Sequence, residues 1–284
     1  MAEQILEGRV VIMTGAGRGL GRAMTLGLVR SGARVTMVDV DEDVLAEAAE
    51  MAEQAGGPGC VQPLKADVTR DSDTRMVVEN TRERYGRVDI LVNNAAIGPQ
   101  VTEAKFMSDP MKSWEVNPEV WQWTLSVNAL GPFQMIRSAV PHLVGQGWGR
   151  VINITTSLNT MYQPGCSPYG PSKAALEAYT ALLSTELEGT GVTANVLIPG
   201  GPANTRMIPE HGFFTQRDGL IQPEQMVPPL LWLCSEAANG VNGRRFRAAL
   251  WDLNMPTEAA SEQAGAPVAW TQLGSQSIRP DQTG

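Results

Sequence analysis

The stretch that decides the fold reads RVVIMTGAGRGLG and spans residues 9–21. Its first half is apolar without alternation, which is typical of a strand that is covered on both faces. A glycine-rich turn follows and opens a segment with helical periodicity. Glycines allow the backbone to approach a pyrophosphate closely, and the start of a helix presents free N–H groups and a partial positive charge. The stretch therefore predicts a phosphate-binding turn between a buried strand and a helix.

Short β-branched runs alternate with longer helical segments along the rest of the chain. The runs span residues 9–14, 34–39, 61–67, 88–93, 150–155, 192–199 and 244–251. Strands that alternate with helices are typical of βαβ units around a parallel sheet. We therefore predict one α/β domain whose doubly wound parallel sheet has about seven strands, with helices on both faces.

The composition changes near the end of the chain, where residues 257–284 are rich in Ala, Gln, Gly and Ser. We assign residues 1–253 to the α/β domain and residues 254–284 to a C-terminal extension. Pro267, Trp270 and Leu273 are the side chains that could anchor it. The extension is expected to be partly ordered or to cover a neighbouring subunit, and disorder is the alternative.

The charge and the cysteine pattern exclude several classes of partner. The 284 residues carry 22 Lys and Arg against 30 Asp and Glu, which gives a net charge of −8 at pH 7 without any basic run. Nucleic acid and membrane surfaces are therefore not expected as partners. Cys60, Cys166 and Cys234 are widely separated and lack metal-ligand spacing, and the two histidines, His142 and His211, are far apart. We expect a cytoplasmic protein without a bound metal.

Asp39 ends the second predicted strand, close to the glycine-rich turn. A carboxylate at this place can accept hydrogen bonds from both ribose hydroxyls of an adenosine, and it would repel a 2′-phosphate. Asp39 therefore favours NAD over NADP, and the following Val40 supplies no cation. Arg18 is the contrary sign, because its guanidinium could pair with a 2′-phosphate. NADP is thus the second candidate.

Tyr169 and Lys173 are spaced so that both side chains lie on one face of a predicted helix. A nearby ammonium stabilises a phenolate and lowers the pKa of a phenol from about 10 toward the working pH. Tyrosine then becomes a usable general acid and base. Three hydroxyl residues stand where the preceding predicted strand ends: Thr155, Thr156 and Ser157.

Taken together and in order, these motifs resemble the short-chain dehydrogenase/reductase family over residues 6 to 253. The motifs are the TGxxxGxG turn from Thr14, Asp67-Val68, Asn93-Asn94-Ala95-Ala96, Asn128, the hydroxyl residue, Tyr169-x-x-x-Lys173 and Pro199-Gly200. The resemblance implies a Rossmann-like catalytic domain that binds NAD(P) and transfers a hydride. It also implies a homodimer or homotetramer in which the helices near 121–139 and 172–188 pack against their copies.

The resemblance further implies roles for individual residues. Tyr169 would be the catalytic acid and base, and Lys173 would lower its pKa while holding the nicotinamide ribose. Asn128 would anchor a water in a proton relay, or serve as a structural residue in the middle of a helix over 119–138. Asn93 would contact the adenosine side and tie neighbouring strands, and Thr205 would hold the nicotinamide carboxamide.

The predicted site divides into two sets. The catalytic residues are Asn128, Thr156, Ser157, Tyr169 and Lys173. The cofactor-binding residues are Gly15, Arg18, Gly19, Leu20, Asp39, Asp67, Val68, Asn93, Ala95, Tyr169, Lys173, Pro199, Gly200 and Thr205.

Three positions depart from the family's pattern. Where the family has a serine that polarises the substrate, the spacing falls on Thr156, with Ser157 one residue closer to the tyrosine. A threonine hydroxyl can donate the same hydrogen bond. We favour Thr156, unless a one-residue deletion in 158–168 brings Ser157 into place. Ala96 replaces a glycine, and the segment that ends at Thr205 is one residue longer than the family's.

Two long connections, over residues 98–120 and 200–222, leave the carboxyl ends of predicted strands, where ligands bind in open α/β sheets. Apolar side chains in or near them could line a pocket or pack in the core: Trp114, Trp123, Met161, Tyr162, Met207, Phe213 and Phe214. They favour a medium-sized, partly apolar carbonyl or secondary alcohol as substrate. We therefore predict an NAD-dependent dehydrogenase that interconverts a secondary alcohol and a ketone. The alternatives are an NADPH-dependent carbonyl reductase and a non-catalytic NAD-binding sensor or scaffold.

Overall fold

The computed structural model describes residues 4–102, 110–208 and 216–270. Within these ranges the chain forms one eight-stranded sheet with the order β3-β2-β1-β4-β5-β6-β7-β8. The strands are β1 Val10–Thr14, β2 Arg34–Asp39, β3 Val61–Lys65, β4 Ile90–Asn93, β5 Gly149–Ile154, β6 Val192–Ile198, β7 Arg244–Arg247 and β8 Gly265–Pro267. β1 to β7 pair in parallel, and β8 pairs antiparallel to β7.

Nine α-helices lie among the described residues. They are α1 Gly19–Arg30, α2 Glu42–Gly56, α3 Asp71–Tyr85, α4 Pro118–Leu125, α5 Gly131–Gln146, α6 Leu158–Met161, α7 Tyr169–Glu186, α8 Val227–Cys234 and α9 Thr257–Ala264. None of the helices described is long and apolar enough to cross a membrane.

The sheet is covered on both faces. Ile12 and Met13, neighbours on β1, belong to two different hydrophobic clusters. The cluster of Met13 includes side chains of α1, α2 and α8, and that of Ile12 includes side chains of α3, α5 and α7. Successive residues of a strand point to opposite faces, so helices pack on each side. The predicted doubly wound α/β fold is confirmed.

The strand order reverses between β1 and β4, which are neighbours in the sheet although two strands separate them in sequence. In open α/β sheets, ligands bind in the crevice outside the carboxyl ends of the strands at such a point. The glycine-rich turn, Asp39, and the segments after β4, β5 and β6 all leave this same edge. The fold therefore gathers most of the predicted site residues there.

The sheet has eight strands rather than about seven, because part of the C-terminal extension joins it. β8 is a short edge strand of sequence Gly-Ala-Pro that carries no β-branched or aromatic residue, and Pro is tolerated only at sheet edges. Nothing in its sequence marks it as a strand. Val268 and Ala269, which follow it, are buried. Residues 257–270 thus pack on the same sheet as the domain before them, while Leu273 lies outside the described residues.

Candidate active site

A cavity of about 920 Å³ opens at the carboxyl ends of the strands. Most of the predicted site residues line it. On its wall are Gly15, Arg18, Gly19, Leu20, Asp39, Asp67, Val68, Ala95, Thr156, Ser157, Tyr169, Lys173, Pro199, Gly200 and Thr205. Asn93 and Asn128 are buried away from the wall.

The turn after β1 needs its glycines for space. Gly15 has φ +64°, and a Cβ there would lie 2.8 Å from the Cα of Ala95. A Cβ on Gly21 would lie 2.0 Å from the carbonyl oxygen of Gly15. Asn94 fastens the turn to the end of β4, because its Nδ2 donates to the carbonyl oxygens of Thr14 and Gly15, at 2.9 and 3.0 Å. The backbone therefore comes close to the cavity with no side chain in between.

Asp39 presents its carboxylate to the cavity beside this turn. Its Oδ2 accepts a hydrogen bond from the backbone N–H of Gly17 at 3.0 Å, and its Oδ1 accepts one from that of Asp41 at 3.2 Å. Each carboxylate oxygen has a second lone pair. Arg18, on the other side of the turn, forms an ion pair with Asp41. Its guanidinium is thus already paired with a carboxylate.

Asn93 lies buried between two strands of the sheet. It is 2% exposed, and its Nδ2 donates to Oδ1 of Asn153 on β5 at 2.8 Å. Asn153 in turn donates to the hydroxyl of Thr180 on α7 at 2.9 Å. The amide of Asn93 thus ties β4 to β5, which confirms one of its two expected roles, and its contact with adenosine stays a prediction. Asn94, the next residue of the same motif, lines the cavity instead.

Tyr169 and Lys173 lie on the first turns of α7, both buried, at 8% and 2% exposure. The Nζ of Lys173 donates to the carbonyl oxygen of Ile154 at 2.8 Å and lies 6.0 Å from the centroid of the Tyr169 ring. Burial lowers the pKa of Lys173 to about 7. Burial also raises the pKa of Tyr169 to about 12, and a hydrogen bond from Thr156 opposes this rise.

The role of Lys173 in lowering the pKa of the phenol stays a prediction. Removal from water outweighs the other influences on Tyr169, and the side chain that lowers its pKa is Thr156. The ammonium of Lys173 is directed at a backbone carbonyl oxygen of β5 rather than at the phenol.

Thr156 and Ser157 have different partners although both line the cavity. The side chain of Thr156 lowers the pKa of the Tyr169 phenol. The hydroxyl of Ser157 lies 2.7 Å from that of Thr160. The structure therefore brings Thr156 to the phenol, the residue that the spacing favours.

Asn128 lies in a π-helical turn, Ser126–Leu130, between α4 and α5. Such turns are rare in proteins, and those that do occur are often found at functional sites. Its Oδ1 accepts from the N–H of Ile97 at 2.8 Å, and its Nδ2 donates to the carbonyl oxygen of Ile97 at 2.8 Å and to the hydroxyl of Ser172 at 2.9 Å. The amide thus joins the segment after β4 to α7, next to Lys173. The water relay stays a prediction.

The two long connections meet over the cavity. A Cβ on Gly98 would lie 2.2 Å from Cγ of Met207, so the segments after β4 and β6 are in contact. Met207 and Trp123 line the cavity, whereas Trp114 and Tyr162 are 80% and 72% exposed and lie outside it. Met161 is buried away from the wall. The predicted Phe213 and Phe214 lie outside the described residues.

Several polar side chains on the cavity wall were not among the predicted site residues. They are Gln100, Asn159, Gln163 and Arg206. Gln100 and Arg206 lie in the two long connections, whereas Asn159 lies on the short helix α6 and Gln163 follows it. None of them belongs to a motif, so the sequence offered no further signal.

The chain matches the model of one protein family over most of its length. The family model described as short chain dehydrogenase matches residues 9–212. This chain is a member of the short-chain dehydrogenase family. Its members use NAD(P), and the chain is an oxidoreductase of this family.

Relatives of this short-chain dehydrogenase include both reductases and dehydrogenases. A 3-oxoacyl-(acyl-carrier-protein) reductase of Thermotoga maritima is 30% identical over 246 residues, which are 84% of this chain and 95% of the relative. An L-fucose dehydrogenase of Bos taurus is 32% identical over 243 residues, 81% and 84% of the two chains. The structure of 3-ketoacyl-(acyl-carrier-protein) reductase from Brucella melitensis, complexed with NADH, has a TM-score of 0.71 at 26% identity and covers 84% of this chain and 95% of its own.

The cavity fits a dinucleotide. At Gly15 an added Cβ would clash with the end of β4, so the backbone can lie against a pyrophosphate there. Gly19, at φ +49°, begins α1 and faces Thr205, whose Cγ2 would lie 3.1 Å from a Cβ. With Asp39 at one side and Tyr169 and Lys173 on the same wall, this short-chain dehydrogenase offers groups for a ribose at each end of the cofactor.

Proposed function

We propose that this short-chain dehydrogenase interconverts a secondary alcohol and a ketone with NAD as cofactor. The observation that carries the proposal is that the side chains of Tyr169 and Thr156 line the same cavity, with the buried Lys173 on the same wall. Two hydroxyls that converge on one volume can hold one substrate oxygen. Bound NAD supplies the acceptor for a hydride from the alcohol carbon, and NADH supplies the hydride for the reverse reaction.

The protein's own residues handle the proton. In oxidation, Tyr169 acts as the phenolate, which its raised pKa places at high pH, and its oxygen takes the hydroxyl proton of the substrate while the Thr156 hydroxyl donates to the same substrate oxygen. In reduction, the phenol returns the proton to the developing alkoxide. Since its pKa is about 7, the Lys173 amine can take up or release a proton near neutral pH. Burial of both side chains keeps bulk water from the reacting oxygen.

Asp39 and Asp41 support NAD over NADP. A 2′-phosphate beside Asp39 would meet its negative charge. Arg18, which could compensate that charge, is paired with Asp41. The alternative of an NADPH-dependent carbonyl reductase is favoured by one observation, that Arg18 itself lines the cavity. A sensor that binds NAD without turnover accounts for the glycine turn but not for the pairing of Tyr169 with Thr156.

The substrate that fits best is medium-sized and partly apolar. Trp123 and Met207 give the wall an apolar side, and Asn159, Gln163 and Arg206 give it polar groups. The Thermotoga relative is named for an acyl-chain substrate and the bovine relative for a sugar. Both kinds of compound belong in a substrate panel.

We propose that the protein is a homodimer or homotetramer. Apolar side chains are exposed on the helical surface that carries the π turn, α5 and α7. Leu130, Phe133 and Leu182 are 44%, 40% and 53% exposed. The ring centroids of Phe133 and Tyr179 lie 5.9 Å apart and link α5 to α7. We further propose a cytoplasmic location, which suits the three free cysteines.

The test is titration with NADH and NADPH, followed by fluorescence transfer from the protein's seven tryptophans. A panel of secondary alcohols with the preferred oxidised cofactor comes next. Tight NADH binding with weak NADPH binding supports the assignment of Asp39. The reverse preference would assign that role to Arg18, and binding of neither would remove the enzyme proposal.

A further inference from the structure

An ion pair lies buried behind the cavity wall and uses residues that the mechanism above does not. The Nε of Arg245, on β7, donates to Oε1 of Glu177, on α7, at 2.9 Å. Their side chains are 7% and 0% exposed. An ion pair at this depth gains little net stability, because both ions lose their hydration. Its other contacts are therefore informative.

Those contacts hold the two residues that follow β5. Oε2 of Glu177 accepts from the hydroxyl of Thr155 at 2.7 Å. Nη2 of Arg245 donates to the carbonyl oxygen of Thr156 at 2.8 Å. β5 ends at Ile154, and the hydrogen bond from the N–H of Thr155 to β6 is long, at 3.4 Å. Two charged side chains thus fix a segment that the sheet holds weakly.

The same helix carries both the reacting phenol and this anchor. Tyr169, Lys173 and Glu177 follow one another at intervals of one helical turn, so they lie on one face of α7. Tyr169 and Thr156 line the same cavity, and the Thr156 side chain lowers the pKa of Tyr169. Arg245 holds the carbonyl oxygen of Thr156, and Glu177 holds the hydroxyl of the preceding Thr155. The distance between the two hydroxyls is thereby set by one rigid element and one ion pair.

The C-terminal segment completes the set of donors to Glu177. The N–H of Ala269 donates to Oε1 at 3.1 Å. Ala269 has φ +54°, a left-handed conformation that non-glycine residues adopt uncommonly. Oε1 therefore receives two donors and Oε2 one, and the buried carboxylate is hydrogen-bonded at both oxygens.

We propose that Glu177 and Arg245 are positioning residues that hold the Thr156 hydroxyl against Tyr169 for the reaction. The inference rests on the proposed function, since it takes Thr156 as the donor to the substrate oxygen. Neither Glu177 nor Arg245 belongs to the described residues that line the cavity. They act through the carbonyl oxygen of Thr156 and the side chain of Thr155.

The test uses the double variant Glu177→Gln/Arg245→Met and the single variant Arg245→Lys. The double variant keeps the volume and leaves no unpaired charge, but it lacks the guanidinium that holds Thr156. Lysine keeps the charge without the planar fork that reaches two acceptors. We expect kcat to fall by at least about tenfold in the double variant, with the KM for NAD unchanged. The Arg245→Lys variant should recover part of the loss.

A second readout separates positioning from general damage. The hydrogen bond of Thr156 lowers the pKa of Tyr169. Its loss should move the pH midpoint of alcohol oxidation, and the tyrosinate absorbance of Tyr169, to higher pH. The absorbance of Tyr169 is obtained by subtracting the spectrum of the same protein that also carries Tyr169→Phe. This measurement does not require turnover.

The matched control is Asp89→Asn. Asp89 is a buried carboxylate, 0% exposed, that accepts from the N–H of Val10 at 2.9 Å and pairs with Arg87. It directly precedes β4, at the amino ends of the strands, whereas the cavity opens at their carboxyl ends. This variant should lose stability and keep the wild-type pH midpoint and kcat. If the double variant behaves like this control in both readouts, the proposal is overturned. If wild type itself shows no turnover, the proposed function fails, and the absorbance titration still decides whether Glu177 and Arg245 position Thr156.

Discussion

The two ends of the cavity are built in different ways. The end at Asp39 is built mainly from backbone: the turn after β1, with Gly17 donating to Asp39 and Arg18 paired to Asp41 after β2. The end at Tyr169 gathers side chains from β5, α7 and β7 and a backbone N–H from beyond β8. The first end depends on the absence of side chains, and the second depends on buried polar side chains. Substitutions should therefore damage them in different ways.

The largest expected effect concerns Lys173 at the buried end. Its folded-state pKa of about 7 lies below the ordinary value of 10.5. Between these values the unfolded chain binds a proton that the folded chain does not, so the free energy of unfolding should rise with pH, by up to about 1.4 kcal/mol per pH unit. Urea denaturation at pH 7 to 9 measures this slope, because burial raises the pKa of the three cysteines above its ordinary value of 9.0 and their ionisation in the unfolded chain opposes the slope at higher pH. Lys173→Met should abolish it, and Lys65→Met, an exposed lysine on β3, should leave it in place.

The slope has a limit at high pH. The folded-state pKa of Tyr169, about 12, lies above the ordinary value of 10.0, so ionisation of the unfolded chain removes stability above pH 10. A wild-type profile that is flat from pH 7 to 9 would show that Lys173 is not held in its neutral form.

The next effect compares the two hydroxyl candidates. Thr156→Val removes the donor to Tyr169 and should lower kcat by about 100-fold, while leaving NADH affinity unchanged. Ser157→Ala removes a hydroxyl that pairs with Thr160 and should have a much smaller effect. Steady-state kinetics of the two variants decide between them. The reverse order would give the role to Ser157.

A smaller effect is expected at the backbone-built end. Gly15→Ala would place a Cβ 2.8 Å from Ala95, so the turn must shift, and NADH affinity should fall by at least about tenfold. Gly86→Ala is the control, because Gly86 also has a positive φ, +79°, and nothing lies within 4 Å of its Cβ position. Both variants should lose some stability. Equal NADH affinity in the two would contradict the close approach of the turn to the cofactor.

The smallest effect sharpens the cofactor preference. Asp41→Asn should free the guanidinium of Arg18 and improve NADPH binding several-fold, with NADH binding nearly unchanged, since Asp39 remains. Fluorescence titration of the variant with both cofactors measures the ratio. A ratio equal to that of wild type would mean that Asp41 does not restrain Arg18.

The contrast between the two ends also explains what the sequence could predict. The fold and the glycine turn follow from short-range patterns, because apolar runs, turn glycines and helical periodicity are local. The choice of Thr156 over Ser157 rests on its spacing from Tyr169 and stays a prediction. The sequence did not reveal that Asn94, rather than Asn93, lines the cavity. Adjacent residues at the end of a strand point to opposite sides, and the motif does not show which of them faces the cavity.

The long-range parts of the site could not be predicted. The pairing of Glu177 with Arg245, and the contact of Ala269 with Glu177, join residues far apart in sequence, and no local pattern marks them. β8 is too short and too poor in β-branched residues to be recognised. The pKa of Tyr169 depends on the depth of its burial, which the four-residue spacing from Lys173 does not reveal.

The most direct test of the central claim follows NADH formation by wild type and Tyr169→Phe side by side, with NAD and a panel of secondary alcohols that includes hydroxyacyl thioesters and sugars. Tyr162→Phe is the matched control, because Tyr162 is exposed and lies outside the cavity. We predict that wild type and the control form NADH and ketone in equal amounts, and that Tyr169→Phe loses at least about 100-fold in rate while binding NADH as before. Equal rates in all three proteins, or no ketone with any alcohol, would contradict the account.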